Sequence, residues 1–406
     1  MKVIDISMEL SAEMETYTSL PPIRQTFLRR IGPDNYVNVT EIEMNTHVGT
    51  HVDAPGHFVE DGRMMDQVTM EELVGNAQLI EVPAGLTIDV AWVDQLDLKE
   101  SKVIFRFGEE RFDRKLDYFT EDAAKRLYER GVRLIGTDCV SIDSKSTGDL
   151  IHRTVFGLDM LVVPGLVVAG LEEKTYDLLV FPIATKGAEG APARVVLLDQ
   201  ESPAREILDI SEPLHDQVIK YKSLKPYKRT WLRDFNDADG NRMRMSSFQM
   251  TSHVGTHIDA PIHYVADGKN MDEVPVDRYL AKAQVLELPE AGAVTAEFLN
   301  GKIEPGVTAL LFKYGRDRLD GRYDYFSKDG VEAMVEAGIE IMGTDNFNVD
   351  TPNTKKQIHL TSLGAGMSIF EVLNLNNVEE GIYDMIALPL KIKGAEAAPA
   401  RIILVK

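Results

Sequence analysis

The hydrophobic pattern predicts short strands with few helices. Tyr36 to Met44 alternates apolar and polar side chains and is partly β-branched, which predicts a half-buried strand running into His47. Val103–Phe107 and Ala309–Tyr314 are continuous apolar runs that end at Gly108 and Gly315, as buried strands do. Thr120–Arg130 has helical spacing, with Thr120 as N-cap and Gly131 just past the end, and Ser327–Ala337 repeats it with Ser327 and Gly338. Arg133–Ile135 and Glu340–Met342 read as strands stopping at Gly-Thr-Asp. Leu178–Ile183, Arg194–Leu198, Asp384–Leu390 and Arg401–Val405 complete the set. Consecutive strands without intervening helices argue for a mixed α/β fold other than a doubly wound sheet.

The pattern occurs twice. His47-Val-Gly-Thr-His51-Val-Asp53-Ala-Pro-Gly-His57 returns as His253-Val-Gly-Thr-His257-Ile-Asp259-Ala-Pro-Ile-His263. Asp61-Gly62, Met65-Asp66, Gly136-Thr-Asp138, His152 and Lys186-Gly-Ala-Glu-Gly-Ala-Pro-Ala-Arg194 also recur, at Asp267-Gly268, Met271-Asp272, Gly343-Thr-Asp345, His359 and Lys393–Arg401. The opening Asp5-Ile-Ser7 returns as Asp209-Ile-Ser211. Eight of the nine histidines fall at matched positions, His215 being the exception. The offset grows from 206 to 207 after the first motif, so one net insertion is expected in a loop near residues 84–104. A repeat of half the chain predicts two fused domains, 1–203 and 204–406, joined through the polar stretch Asp199–Arg205.

Composition changes this picture little. A net charge of −21 argues against nucleic acid or an anionic membrane as partner. The single cysteine, Cys139, rules out an intrachain disulfide and fits a reducing compartment. The longest apolar run, Met160–Leu171, is interrupted by Pro164, Gly165 and Gly170 and is too short to span a bilayer. Asp5 falls where a signal peptide needs an apolar stretch, so a soluble cytoplasmic protein is expected.

The chemistry lies in the histidine motif. Two imidazoles and a carboxylate suit zinc, manganese or iron. Gly255, the β-branched neighbours and Pro261 disfavour a helix between His253 and His257, so a strand-to-turn geometry is expected, with the glycine letting the backbone curl and the three ligands converge. His263, just beyond, suits proton transfer near neutral pH. Core histidines satisfied by backbone groups are the competing reading, and the doubling of the spacing weighs against it. Spacing alone gives Glu371 no more than a helix-capping or cleft-lining role.

The run His-Xaa-Gly-Thr-His-Xaa-Asp-Xaa-Pro-Xaa-His followed by Phe58 or Tyr264, with Asp-Ile-Ser, Gly-Thr-Asp and the closing Gly-Ala-Xaa-Xaa-Ala-Pro-Ala-Arg, resembles the cyclase family of metal-dependent hydrolases, which includes bacterial kynurenine formamidase and isatin hydrolase. The resemblance implies two copies of a swivelling β/β/α domain, arranged as a pseudo-dimer within one chain. It implies His253, His257 and Asp259 as ligands of a first metal, with Asp259 bridging to a second completed by His359 and Glu371, and His263 as catalytic acid or base. His47, His51, Asp53, His57 and His152 match these roles in the first half, but Pro164 stands where Glu371 should. Asp159, Glu172 and Glu173 are the acidic residues near enough in sequence to substitute. Tyr17 and Tyr221 match an aromatic position against the substrate, where a core role is the alternative.

The expected function is hydrolysis of a small amide, cyclic amide or lactone. The expected cofactor is a divalent metal, Zn or Mn, with one or two ions in the second half and fewer in the first. The expected partners are a small-molecule substrate and, beyond the intrachain pseudo-dimer, further copies of the chain. A non-catalytic metal- or small-molecule-binding protein on the same fold is the alternative.

Overall fold

A computed structural model of the chain describes residues 2–14, 20–108, 117–202, 205–218, 220, 223–237, 240, 242–288, 292–315 and 324–406. It divides into two compact units. The first comprises Met1–Ile23, Met44–Ala204 and Arg229–Phe248; the second comprises Arg24–Glu43, Arg205–Lys228 and Gln249–Lys406. Along the chain, the first unit's long segment ends at Ala204 and the second unit resumes at Arg205. Two segments, 24–43 and 229–248, belong to the unit opposite their sequence half. Periodicity had no access to this exchange, because alternation says which face of a strand is buried but not against which partner.

Each unit is a closed mixed barrel of seven strands. In the first, Gly190–Leu198 pairs in turn with His51–Asp53, which leads through Leu161–Val163, Leu134–Thr137, Lys102–Arg106, Val74–Glu81 and Thr175–Pro182 back to Gly190–Leu198. In the second, the same circuit runs through Ala397–Val405, His257–Asp259, Ser368–Glu371, Ile341–Thr344, Ala309–Lys313, Leu280–Glu287 and Gly381–Pro389. Three neighbouring pairs in each barrel are parallel and the rest antiparallel. Closure leaves no free edge within the ring. A short strand, Val3–Asp5 or Ile207–Asp209, adds outside the last strand.

The repeated motifs find structural reasons here. Asp5 and Asp209 pair with the Arg194 and Arg401 guanidiniums, fastening that extra strand to the barrel. The Asp138 carboxylate accepts from the Phe107 and Gly108 amides, and Asp345 accepts from Tyr314 and Gly315, so each Gly-Thr-Asp ties off the neighbouring strand. Gly62 and Gly268 let two backbone stretches touch; a Cβ on either would come within 2.6 Å of the carbonyl carbon of Pro55 or Pro261.

Helices cover one side of each barrel. The helix Glu121–Glu129 is capped by the Thr120 side chain, which accepts from the Ala123 amide, and it stops before Gly131 at φ +93°. Ala123, Ala124 and Leu127 form its buried face against Phe105, Phe119 and Phe156. The helix Lys328–Glu336, capped by Ser327, repeats this with Val331 and Met334 against Phe312 and Phe326. The sequence insertion lies between the N-caps Asp89 and Thr295 and the strands that start at Lys102 and Ala309. The expected strands at 36–44, 178–183 and 194–198 are present as Val39–Asn45, Thr175–Pro182 and Gly190–Leu198. No helix among the described residues is long and apolar enough to cross a membrane.

Candidate metal centres

The histidine motif is a turn followed by a strand. In the second unit the chain bends through Ser252–Thr256, with Gly255 at φ +69°, and then enters the strand His257–Asp259. Gly255 is required twice over: its φ disfavours a side chain, and a Cβ would lie 2.4 Å from Leu214 Cδ2. Alternation along the three-residue strand puts His257 and Asp259 on one face and Ile258 in the core. Pro261 opens a 3₁₀ turn that ends at His263, whose ring lies 4.1 Å from that of His253.

The structure brings the predicted second-half ligands together. Asp259 Oδ1 lies 2.9 Å from His253 Nδ1 and 3.4 Å from His257 Nε2, and Oδ2 lies 3.6 Å from His359 Nε2. Glu371, at the end of its strand, places one carboxylate oxygen 3.5 Å from His257 Nε2 and the other 3.7 Å from His359 Nε2. Each of these five side chains is at least nine-tenths buried. His257 Nε2 and both Asp259 oxygens make no hydrogen bond. Buried lone pairs left without donors are expensive unless a cation takes them. The donor set of imidazole nitrogens and carboxylate oxygens therefore fits a divalent metal.

Four acidic residues outside the predicted set hold the histidine rings in place. Asp350 accepts from His359 Nδ1 at 2.6 Å and from the Ile358 and His359 amides, so it orients the ring and caps its helix at once. Asp143 does the same for His152. Glu396 Oε1 lies 3.3 Å from His253 Nε2, while its carboxylate also accepts from the Thr40 amide and hydroxyl and from Ser252 Oγ. Glu189 repeats this with His47, Thr46 and Ser246. The signal was present in the repeat, since Glu189 matches Glu396 and Asp143 matches Asp350. The glutamates lay hidden in a run of small residues, and neither aspartate stood next to a recognised ligand.

Electrostatics set His253 and His359 apart from His263, although His263 also lies within ligand distance of Asp259 and His359. Burial disfavours protonation of His253, but Asp259 and Glu396 outweigh it and lift its pKa to about 10. His359 is likewise raised to about 10, against burial, by Asp259, Asp350 and Glu371. His263 is pushed the other way, to about 3, by burial and by the charge on His253. Its Nδ1 lies 2.8 Å from the Asn38 carbonyl. A carbonyl only accepts, so Nδ1 carries the proton and Nε2 keeps a free lone pair. His57 is held the same way by the Arg244 carbonyl, and its pKa is also lowered to about 3 by burial and His47.

The first-half centre is reduced. His47, His51 and Asp53 converge, and His152 Nε2 lies 3.9 Å from Asp53 Oδ2. Here, however, the Asp53 carboxylate accepts a hydrogen bond from His47 Nδ1 at 2.6 Å. Pro164 follows the strand Leu161–Val163 at the position of Glu371. The suggested acidic substitutes are engaged elsewhere: Asp159 with Arg63, Glu173 with the Glu81 amide, and Glu172 near Lys174. Tyr17 and Tyr221 lie outside the described residues.

Both centres are thus buried clusters of imidazoles and carboxylates of the kind that binds metal. A family model described as "Putative cyclase" matches residues 4–144 and 208–351, and the chain belongs to that family, once in each half. Cyclase-like protein 1 of Arabidopsis thaliana is 32% identical over 216 residues, covering 48% of this chain and 85% of that protein. The kynurenine formamidase of Paracidovorax citrulli (strain AAC00-1) is 30% identical over 210 residues, covering 49% of this chain and 96% of that enzyme. Among solved structures, a predicted metal-dependent hydrolase from Bacillus stearothermophilus is 28% identical and covers 50% of this chain and 99% of its own, with a TM-score of 0.41.

Proposed function

We propose that the chain is a metal-dependent hydrolase of small amides, cyclic amides or lactones, resembling an arylformamidase, and that the second-half centre carries the activity. The observation supporting this most directly is the trio of buried, hydrogen-bond-free atoms on His257 and Asp259, facing His359 and Glu371. His253, His257, Asp259, His359 and Glu371 would hold one or two divalent ions, zinc or manganese. A bound ion would supply Lewis acidity toward a substrate carbonyl and make water acidic near neutral pH. The similarity to kynurenine formamidase supports the amide class.

His263 is the proposed proton carrier. Its fixed Nδ1–H leaves Nε2 as the only site that can take a proton, and the lowered pKa keeps that site free at neutral pH. A base this weak receives a proton only transiently, so it hands it on to the leaving group readily. Tyr264, stacked on the His359 ring at 4.5 Å, walls the pocket beside it. Tyr17 and Tyr221 are retained as proposed substrate contacts.

The first-half centre, with His47, His51, Asp53 and His152 as proposed ligands and His57 as proton carrier, is proposed to bind fewer ions, on the strength of Pro164 and the His47–Asp53 hydrogen bond. The sequence halves 1–203 and 204–406 are proposed as a fused pair derived from a dimer. Their reciprocal exchange of segments 24–43 and 229–248 supports this. A cytoplasmic location is proposed from the lone, buried Cys139.

The test is a panel of formamides, cyclic imides and lactones with Zn²⁺- or Mn²⁺-loaded protein. Turnover of at least one is expected, with His263→Ala reducing kcat by a factor of about 10² or more while metal content stays unchanged. Full activity in His263→Ala would remove the proton-carrier role. Inactivity across the panel with tight metal binding would favour the non-catalytic binder.

A further inference from the structure

The two pockets differ in charge where they should match. In the second unit the pocket is lined by His263, His359 and Glu371 and also by Arg29 and Lys355. The first-half pocket keeps an arginine, Arg233, where the second has Arg29, but has Gly148 and Asp149 at the positions of Lys355 and Lys356. Gly148 sits at φ +63° and Lys355 at φ +62°, so both positions adopt the same left-handed conformation while the residue differs. A left-handed conformation suits glycine and is unfavourable for lysine. A strained non-glycine residue at a pocket mouth points to a role for its side chain.

The surroundings identify that role. Among the described residues neither Lys355 nor Arg29 pairs with a carboxylate, in a chain whose net charge is −21. The Lys355 amide donates to the Thr351 carbonyl at 2.7 Å, which fixes the loop that also carries Asp350, the partner of His359. Lys356 lies 4.5 Å over the Tyr36 ring, itself part of the pocket wall. The backbone that carries Lys355 is thus fixed beside Asp350 and His359, with the lysine side chain exposed at the pocket.

We propose, resting on the hydrolase reading, that the second-half pocket selects substrates bearing a carboxylate beside the scissile amide, with Lys355 as the selecting residue, and that the first-half pocket lacks this preference. A lysine ammonium on a substrate carboxylate is a charge-assisted hydrogen bond, and at an exposed site it is worth about a three- to fivefold change in affinity.

The test compares N-formylanthranilate with formanilide, its neutral analogue, in the metal-loaded protein and in Lys355→Gly. Glycine relieves the backbone strain, so this variant should fold. In parallel, benzoate and benzamide are titrated into metal-free protein. The expected result is a KM for N-formylanthranilate raised about three- to fivefold in Lys355→Gly. The KM for formanilide should stay within about twofold, and kcat for both nearly unchanged. Lys355→Glu should raise the first KM further. Equal shifts for both compounds, or none, would overturn the proposal and leave the hydrolase reading standing. If the unsubstituted protein turns over neither compound, the titrations decide: benzoate binding weakened by Lys355→Gly supports the selection, and unchanged binding overturns it.

Discussion

His263 and Asn38 hold each other by two hydrogen bonds. The His263 ring donates from Nδ1 to the Asn38 carbonyl at 2.8 Å, and the Asn38 amide donates to the His263 carbonyl at 2.9 Å. The Asn38 side chain adds a bond to the Ile262 carbonyl and accepts from the Ile31 amide. In the first unit the equivalent post is Arg244, whose guanidinium donates to the Gly56, Val59 and Glu60 carbonyls while its own carbonyl takes His57.

Asn38→Ala should therefore act on His263 without touching a ligand. Loss of the side-chain bonds loosens the turn 261–263. We expect kcat to fall about tenfold, with metal content unchanged, because small misplacements of a proton carrier are amplified in rate. Steady-state kinetics beside metal analysis would check this; a fall in metal content with kcat preserved would contradict it.

Glu396→Gln and Asp350→Asn should weaken metal binding by about 10–100-fold each, since both carboxylates orient a ligand ring through its far nitrogen. Asp350→Asn also disturbs the cap on the helix Gln357–Gly364 and should lower stability by about 1 kcal/mol. Competition with a chromogenic chelator gives the first quantity and thermal melting the second.

Pro164→Glu should add binding capacity to the first half. It places a carboxylate at the position of Glu371, next to Asp53 and His152 in the repeat. Metal analysis after dialysis should find about one more ion per chain than in the unsubstituted protein. An unchanged count would mean that the His47–Asp53 hydrogen bond, not the proline, limits this centre.

Two glycine substitutions should separate strain from crowding. Gly148→Ala meets only the left-handed φ of +63°, with nothing within 4 Å of the new Cβ, and should lose about 1 kcal/mol. Gly255→Ala adds a 2.4 Å contact with Leu214 to a similar φ and should lose about 2–4 kcal/mol. Denaturant midpoints at unchanged m-value would measure both.

Much of the site could be read from the chain because its ligands are rare residue types at fixed spacings. His253, His257 and Asp259 converge through one turn and a three-residue strand, so local geometry alone brings them together. His359 and Glu371 arrive from a helix and a strand a hundred residues away, and only the family resemblance tied them to the motif. Glu396 and Asp350 recur in the repeat as Glu189 and Asp143, but carboxylates are common, and their meaning depends on the rings they face. The longer apolar strands were legible in place, but the barrel strands Val74–Glu81 and Leu280–Glu287 were not, because polar residues interrupt their apolar runs. The exchange of 24–43 and 229–248 was not, because it is a choice of partner between near-identical repeats.

That exchange bears on how such a chain can change over generations. Residues 24–43 are encoded in the first copy yet complete the unit that holds His263. Pro164 can stand in the first copy without touching the second centre, but the copy itself cannot be discarded without taking Asn38 away from that centre. Duplication here has left not a spare but a dependency: one half may fall chemically silent and still be indispensable.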